Sequence, residues 1–106
     1  MLHDIVFVID PPTRYKTIQK DWSHNGVPGS GDLEVLLRRK ETSEVTVKIT
    51  TPVTGFDDMW MAVVSKVIGE TGVGGIDIEI NDNNATPFVV ATRLRQGLIE
   101  AGGGGR

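Results

Sequence analysis

Val45, Val47 and Ile49 alternate with Thr46, Lys48 and Thr50, and Ile76, Ile78 and Ile80 alternate with Asp77, Glu79 and Asn81. A strand turns successive side chains to opposite faces, so each segment reads as a strand with one dry and one wet face. Between them Phe56, Met59, Trp60, Val63, Val64 and Val67 recur at helical spacing and form one apolar stripe as far as Gly69. One-faced strands and a one-striped helix restrict the chain to folds in which a helix layer covers a sheet.

The remaining segments extend this pattern. Leu33, Val35 and Leu37 alternate through Asp32–Arg39, and the polar link Glu41–Glu44 predicts an antiparallel hairpin between this strand and the next. Ile5–Ile9, ended by Asp10-Pro11-Pro12, reads as a buried strand. From Pro11 to Gly29 no apolar period is found. A connection of that length in a small domain is functional or mobile, with one helical turn fitting around Thr17–Trp22 and Trp22 packed on the core. Thr54 and Asp57 approximate a capping box for the first helix. Thr86 followed by Pro87 opens a second helix, with Val90, Leu94 and Leu98 inward and Arg93, Arg95 and Gln96 facing water. Gly102 ends that helix, leaving 102–106 as a flexible glycine-rich tail behind a single domain at 1–101. The expected fold class is α+β, in the order β-loop-β-β-α-β-α. It is a two-layer sandwich with a mostly antiparallel sheet of about four strands and both helices on one face.

Composition narrows the function. A net charge of −3 over 106 residues provides no basic field for nucleic acid or an anionic membrane. Arg38, Arg39 and Lys40 form the one tight basic cluster and read as a solvated strand end. The chain has no cysteine, which rules out disulfides, thiolate metal ligands and a thiol of its own. Met1–Asp4 lacks the features of a signal peptide, and no apolar run approaches a membrane span of about 20 residues, so a cytoplasmic protein is expected.

The stretch Val27-Pro28-Gly29-Ser30-Gly31-Asp32-Leu33 is the candidate site. Gly29 and Gly31 free the backbone to turn and leave the Ser30 hydroxyl uncrowded, while Pro28 stiffens the approach. Asp32 can fold its carboxylate onto nearby backbone N–H groups and hold the turn. Such a turn presents a hydroxyl to something large and builds no pocket. The rest of the chain offers little chemistry. His3 and His24 have no ligand spacing, so no metal site is expected. Glu70–Gly75 lacks the Gly-Lys-Ser/Thr of a phosphate loop, and Asn81–Asn84 lacks the glycine and distal glutamate of a calcium loop. A Ser30, His24, Asp32 triad would have neither a nucleophile elbow nor an oxyanion hole, so the chain reads as non-catalytic.

Gly29–Val35 and Glu79–Pro87 together resemble the acyl carrier protein, or delta subunit, of malonate decarboxylase, and the likeness runs from Gly29 to Glu100. The Ser-x-Asp-Leu core is also similar to that of the citrate lyase carrier subunit. Asn84 stands where many members have glycine, a departure confined to a turn. The resemblance implies that Ser30 bears a covalent 2'-(5''-phosphoribosyl)-3'-dephospho-CoA arm, with Gly29, Gly31 and Asp32 supporting the attachment loop. It also implies that a phosphoribosyl-dephospho-CoA transferase installs the arm. The implied partners are the transferase and decarboxylase subunits, which exchange and decarboxylate acetyl and malonyl thioesters on the arm's thiol. The carrier itself supplies attachment and effective concentration. Two other readings stay open at this level: a small α+β interaction or regulatory module, and a citrate lyase-type carrier.

Overall fold

The computed structural model describes residues 1–103. The strands are β1 (His3–Ile9), β2 (Trp22–Gly26), β3 (Asp32–Arg39), β4 (Val45–Thr51) and β5 (Ile76–Asn83). Helix α1 (Asp57–Thr71) lies between β4 and β5, and α2 (Pro87–Glu100) follows β5. The strands form one sheet in the order β1-β4-β5-β3-β2. Every pairing is antiparallel except β4 with β5, the two strands joined through α1. The α+β class and the alternation on β3, β4 and β5 are as expected, and the sheet gains β2 as a fifth strand.

The expected β3–β4 hairpin does not form, because β5 inserts between the two strands and pairs with both. Alternation fixes which face of a strand is buried and leaves its neighbour open. The link 40–44 need only cross one intervening strand, a step of roughly 10 Å that five residues span easily. The first strand is an edge and is not buried: Ile5 reaches the core while Val6 and Val8 remain exposed.

Leu33, Val35 and Leu37 of β3 meet the inward residues of β4 and β5 and the helix stripes in one core. Helix α2 lies over β2 and β3, and α1 packs on α2 and reaches β1. Trp60, Val64, Val67 and Ile68 are the buried residues of α1. The capping-box expectation fails there. Phe56 holds the N-cap position with no side-chain cap, and the helix passes Gly69 to end at Gly72, which is left-handed. On α2 the expectation holds: Thr86 Oγ1 accepts from Val89 N at 3.3 Å and Pro87 opens the first turn.

The segment expected to be a long functional or mobile loop is tied down, and the helical turn around Thr17–Trp22 is absent. Ile18 is fully buried, Lys16 N donates to Gly72 O at 2.9 Å, and Gln19 N donates to Ala101 O at 2.9 Å. Arg39 adds bonds from its guanidinium to Gln19 O, at 2.8 Å, and to Asp21, so this member of the basic cluster is a structural tie. The chain then enters β2, where Trp22 is 66% exposed on the uncovered face and not packed on the core. Gly103 N donates to Leu98 O at 3.0 Å, and Gly102 and Gly103 pack against Gln19 and Ile18. Residues 104–106 of the expected tail lie outside the described residues.

Gly26 ends β2 with φ +86, and a Cβ there would lie 2.4 Å from the Leu33 carbonyl oxygen. Gly26→Ala is therefore expected to cost about 2 kcal/mol from the left-handed backbone plus the clash. The check is a lower urea midpoint at unchanged slope.

Candidate functional site

Ser30 lies in the turn that starts β3. Asp32 N donates to Gly29 O at 2.9 Å, closing a four-residue turn. Gly31 sits at its third position with φ +76, where an L side chain would be strained and glycine is favoured. Before it, Gly29 N donates to Val27 O at 2.8 Å around Pro28, a tighter three-residue turn. Two further bonds fasten the turn to the end of β5: Gly31 N donates to Asn83 O at 2.7 Å, and Asn83 Nδ2 donates to Pro28 O at 3.3 Å. Ser30 is exposed, and its hydroxyl makes no hydrogen bond among the described residues. A Cβ placed at Gly29 or Gly31 would meet nothing within 4 Å. The backbone is thus held while the space around the hydroxyl stays open.

Asp32 does what the sequence suggests and more. Its Oδ1 accepts from Leu33 N at 2.7 Å, the local bond expected of a turn aspartate. It also takes a two-point bond from α2, with Arg93 Nε to Oδ1 at 2.9 Å and Arg93 Nη2 to Oδ2 at 2.7 Å. Arg93, expected to face water, is a clamp. Its remaining nitrogen donates to Gln96 Oε1 at 3.3 Å. Forked guanidinium–carboxylate contacts of this kind are among the stronger polar interactions and fix geometry as well. The Arg93 hydrogen bonds and the Leu33 amide hold the Asp32 carboxyl below the ordinary aspartate range.

That depressed value sets a pH dependence. Its contribution is complete above the ordinary aspartate value of about 3.9 and fades as the pH falls through the lower folded value. Arg93→Ala is expected to loosen the turn at neutral pH, speeding amide exchange at Gly31 and Leu33 several-fold with little effect on the β4–β5 ladder. In the unsubstituted chain the same two amides should lose protection only on acidification below that aspartate value. Equal exchange in both proteins at neutral pH would show that the clamp does not hold the turn.

The triad that can be written from Ser30, His24 and Asp32 is not assembled by these bonds. His24 Nε2 pairs with Glu34 Oε2 at 2.8 Å, and Asp32 is held by Arg93. Among the described residues no three His, Cys, Asp or Glu side chains are placed to hold a metal ion, and no helix is long and apolar enough to cross a membrane.

The family model for the malonate decarboxylase delta subunit (MdcD) matches residues 20–101, a range that contains the turn, its β5 fastening and the Arg93 clamp. The chain belongs to this family. Its relatives include the malonate decarboxylase acyl carrier protein of Malonomonas rubra, 57% identical over 79 residues covering 74% of this chain and 70% of that one. The protein of the same name from Stutzerimonas stutzeri is 40% identical over 77 residues, covering 73% and 78%. Among solved structures, the fold is similar to a chain in the crystal structure of a Pseudomonas malonate decarboxylase hetero-tetramer in complex with malonate. The TM-score is 0.81 at 29% identity, over 93% of this chain and 98% of that chain. Within this family, the candidate site of the chain has support wider than the glycine-serine-glycine stretch. Arg93 and Asn83 complete it from α2 and β5, and no local sequence signal ties either to Ser30. Asn84 has φ +65, so the position where many family members are expected to carry glycine is left-handed here, in a residue that tolerates it better than most.

Proposed function

We propose that this chain is the acyl carrier subunit of a malonate decarboxylase assembly, and that a 2'-(5''-phosphoribosyl)-3'-dephospho-CoA arm is attached through Ser30 Oγ. The observation that carries the reading is an exposed hydroxyl on a fastened turn, with open space where side chains would otherwise stand at Gly29 and Gly31. These residues fit a bulky phosphodiester-linked group, since nothing on either flank blocks a substituent leaving the serine oxygen. When attached, the arm supplies a thiol for acyl transfer, a group that a chain without cysteine lacks.

Ser30 contributes the ester oxygen. Gly29 and Gly31 give the modifying phosphoribosyl-dephospho-CoA transferase access. Asp32, already charge-paired with Arg93, positions the turn and places less uncompensated negative charge beside the incoming phosphate. Proton transfer belongs to the enzymes that act on the carrier. Its partners are the transferase and decarboxylase subunits, a reading supported by the likeness to a chain of a hetero-tetrameric malonate decarboxylase. Intact-protein mass spectrometry after co-expression with the modifying enzymes tests the proposal. The expected result is a mass gain of one arm, localised by fragmentation to Ser30. A chain that stays at its bare mass under conditions that load a known family member overturns it.

A further inference from the structure

On the far side of the β5 end from the Ser30 turn, a pocket of about 300 Å³ opens between the start of α1 and the segment entering α2. Its walls include Val53, Phe56, Met59, Trp60 and Pro87, and Asn84 contributes to its lining. We infer that this pocket seats the adenine of the arm carried on Ser30, an inference that rests on the carrier reading.

Three features point to that occupant. The first is position. Asn83 accepts the Gly31 N–H and donates to the Pro28 carbonyl, and the next residue, Asn84, lines the pocket. Attachment point and pocket therefore share one strand end. The chemical name of the arm places only one phosphate and two linked riboses between the serine oxygen and the adenine. The pantetheine and its thiol branch from the 5' oxygen of the same ribose that carries the base, so seating the base leaves the reactive tip free to reach partner enzymes.

The second is chemistry. The lining is mainly apolar, as the faces of a purine require. Asn84 supplies a carboxamide, the group that pairs in two-point fashion with the N6 and N7 edge of adenine. Among the described residues its side chain is held only by a 3.3 Å bond to Asn83 Oδ1, so it is available to turn toward a ligand.

The third is the residue at the mouth. Phe56 is 50% exposed at the N-cap of α1, where a Ser, Thr, Asp or Asn would satisfy a free backbone N–H. An aromatic there forgoes the cap and provides a flat surface for stacking. The volume lies at the lower end for ligand sites, enough for one base and too small for the whole arm.

The test uses the full chain with Ser30 loading verified by mass. In the loaded protein, NMR is expected to show contacts between the adenine protons and the Met59 methyl group. Those contacts should be lost in Phe56→Ala and in Asn84→Gly while Ser30 remains loaded. Asn84→Gly is the safer variant, since glycine accepts the left-handed backbone and only the amide is removed. Loaded protein without any adenine contact to the pocket overturns the assignment and leaves the carrier reading standing. If Ser30 proves unloadable, the carrier reading fails, and titration of the unmodified chain decides the pocket separately. Met59 and Asn84 signals that move with dephospho-CoA and not with pantetheine support a base site, with affinity falling about fivefold or more in Asn84→Gly. Signals that move with pantetheine, or with neither, overturn it.

Discussion

Ser30→Ala is expected to abolish attachment of the arm completely and, with it, malonate-dependent release of carbon dioxide by the reconstituted assembly. The fold should not register the change. Ser30 is exposed and its hydroxyl holds no other described group, so stability should stay within about 0.5 kcal/mol of the unsubstituted chain. That combination discriminates between the readings. A regulatory module that docks by its sheet or helix faces would be indifferent to one surface hydroxyl, whereas a carrier loses everything. Mass spectrometry and a urea melt on the same preparation provide both readouts. A Ser30→Ala chain that still acquires the arm would move the attachment elsewhere, and an assembly that still turns over would remove Ser30 from the function. Ser30→Thr is a useful companion. It retains an oxygen but adds a methyl group at a β-branched carbon, so loading should slow without the turn being lost.

Much of this was legible in the sequence for a physical reason. Burial acts on one face of a strand or helix at a time, so Leu33, Val35, Leu37 and the isoleucines of β5 announce themselves by period alone. Glycines on both sides of a serine announce an open turn in the same way. Pairing partners leave no such trace. That β5 separates β3 from β4 depends on which long-range ladder is more favourable, and the short link between β3 and β4 permits either arrangement. Strand β2 was hidden because Trp-Ser-His-Asn-Gly is mostly polar, as an edge strand can be, and its one large apolar residue faces outward. Ile18 was hidden because a single buried residue has no period. Arg93 lies 61 residues from Asp32, and nothing in its helical position distinguishes a clamp from a solvated arginine. The open turn around Ser30 was therefore readable while its ties to β5 and α2 were not.

Next to that support stands Asp82, a carboxylate only 6% exposed at the end of β5. Its Oδ2 accepts from Thr51 Oγ1 at 2.8 Å and from Asn84 N at 3.3 Å, and its Oδ1 accepts from Ala85 N at 2.9 Å. Thr51 is itself fully buried and accepts from Val53 N at 3.1 Å, so one side chain joins the end of β4 to the segment entering α2. Asp82→Ala strands these donors and opens a small void. A buried donor left unmade costs about 1–3 kcal/mol, and exposed Asn84 can recover its bond from water. The expected loss is about 2–3 kcal/mol, a fall in Tm of roughly 10–20 °C for a domain of this size. Asp82→Asn keeps the shape and one acceptor oxygen, so it should lose less. The consequence reaches the Ser30 turn because Asn83, whose carbonyl holds Gly31, directly follows Asp82. Amide exchange at Gly31 should therefore quicken in Asp82→Ala by more than the global loss explains, and loading of Ser30 should slow even in the fraction that remains folded. A variant that melts early but keeps Gly31 protected relative to the rest of β3, and loads at the normal rate, would show that Asp82 serves the fold alone.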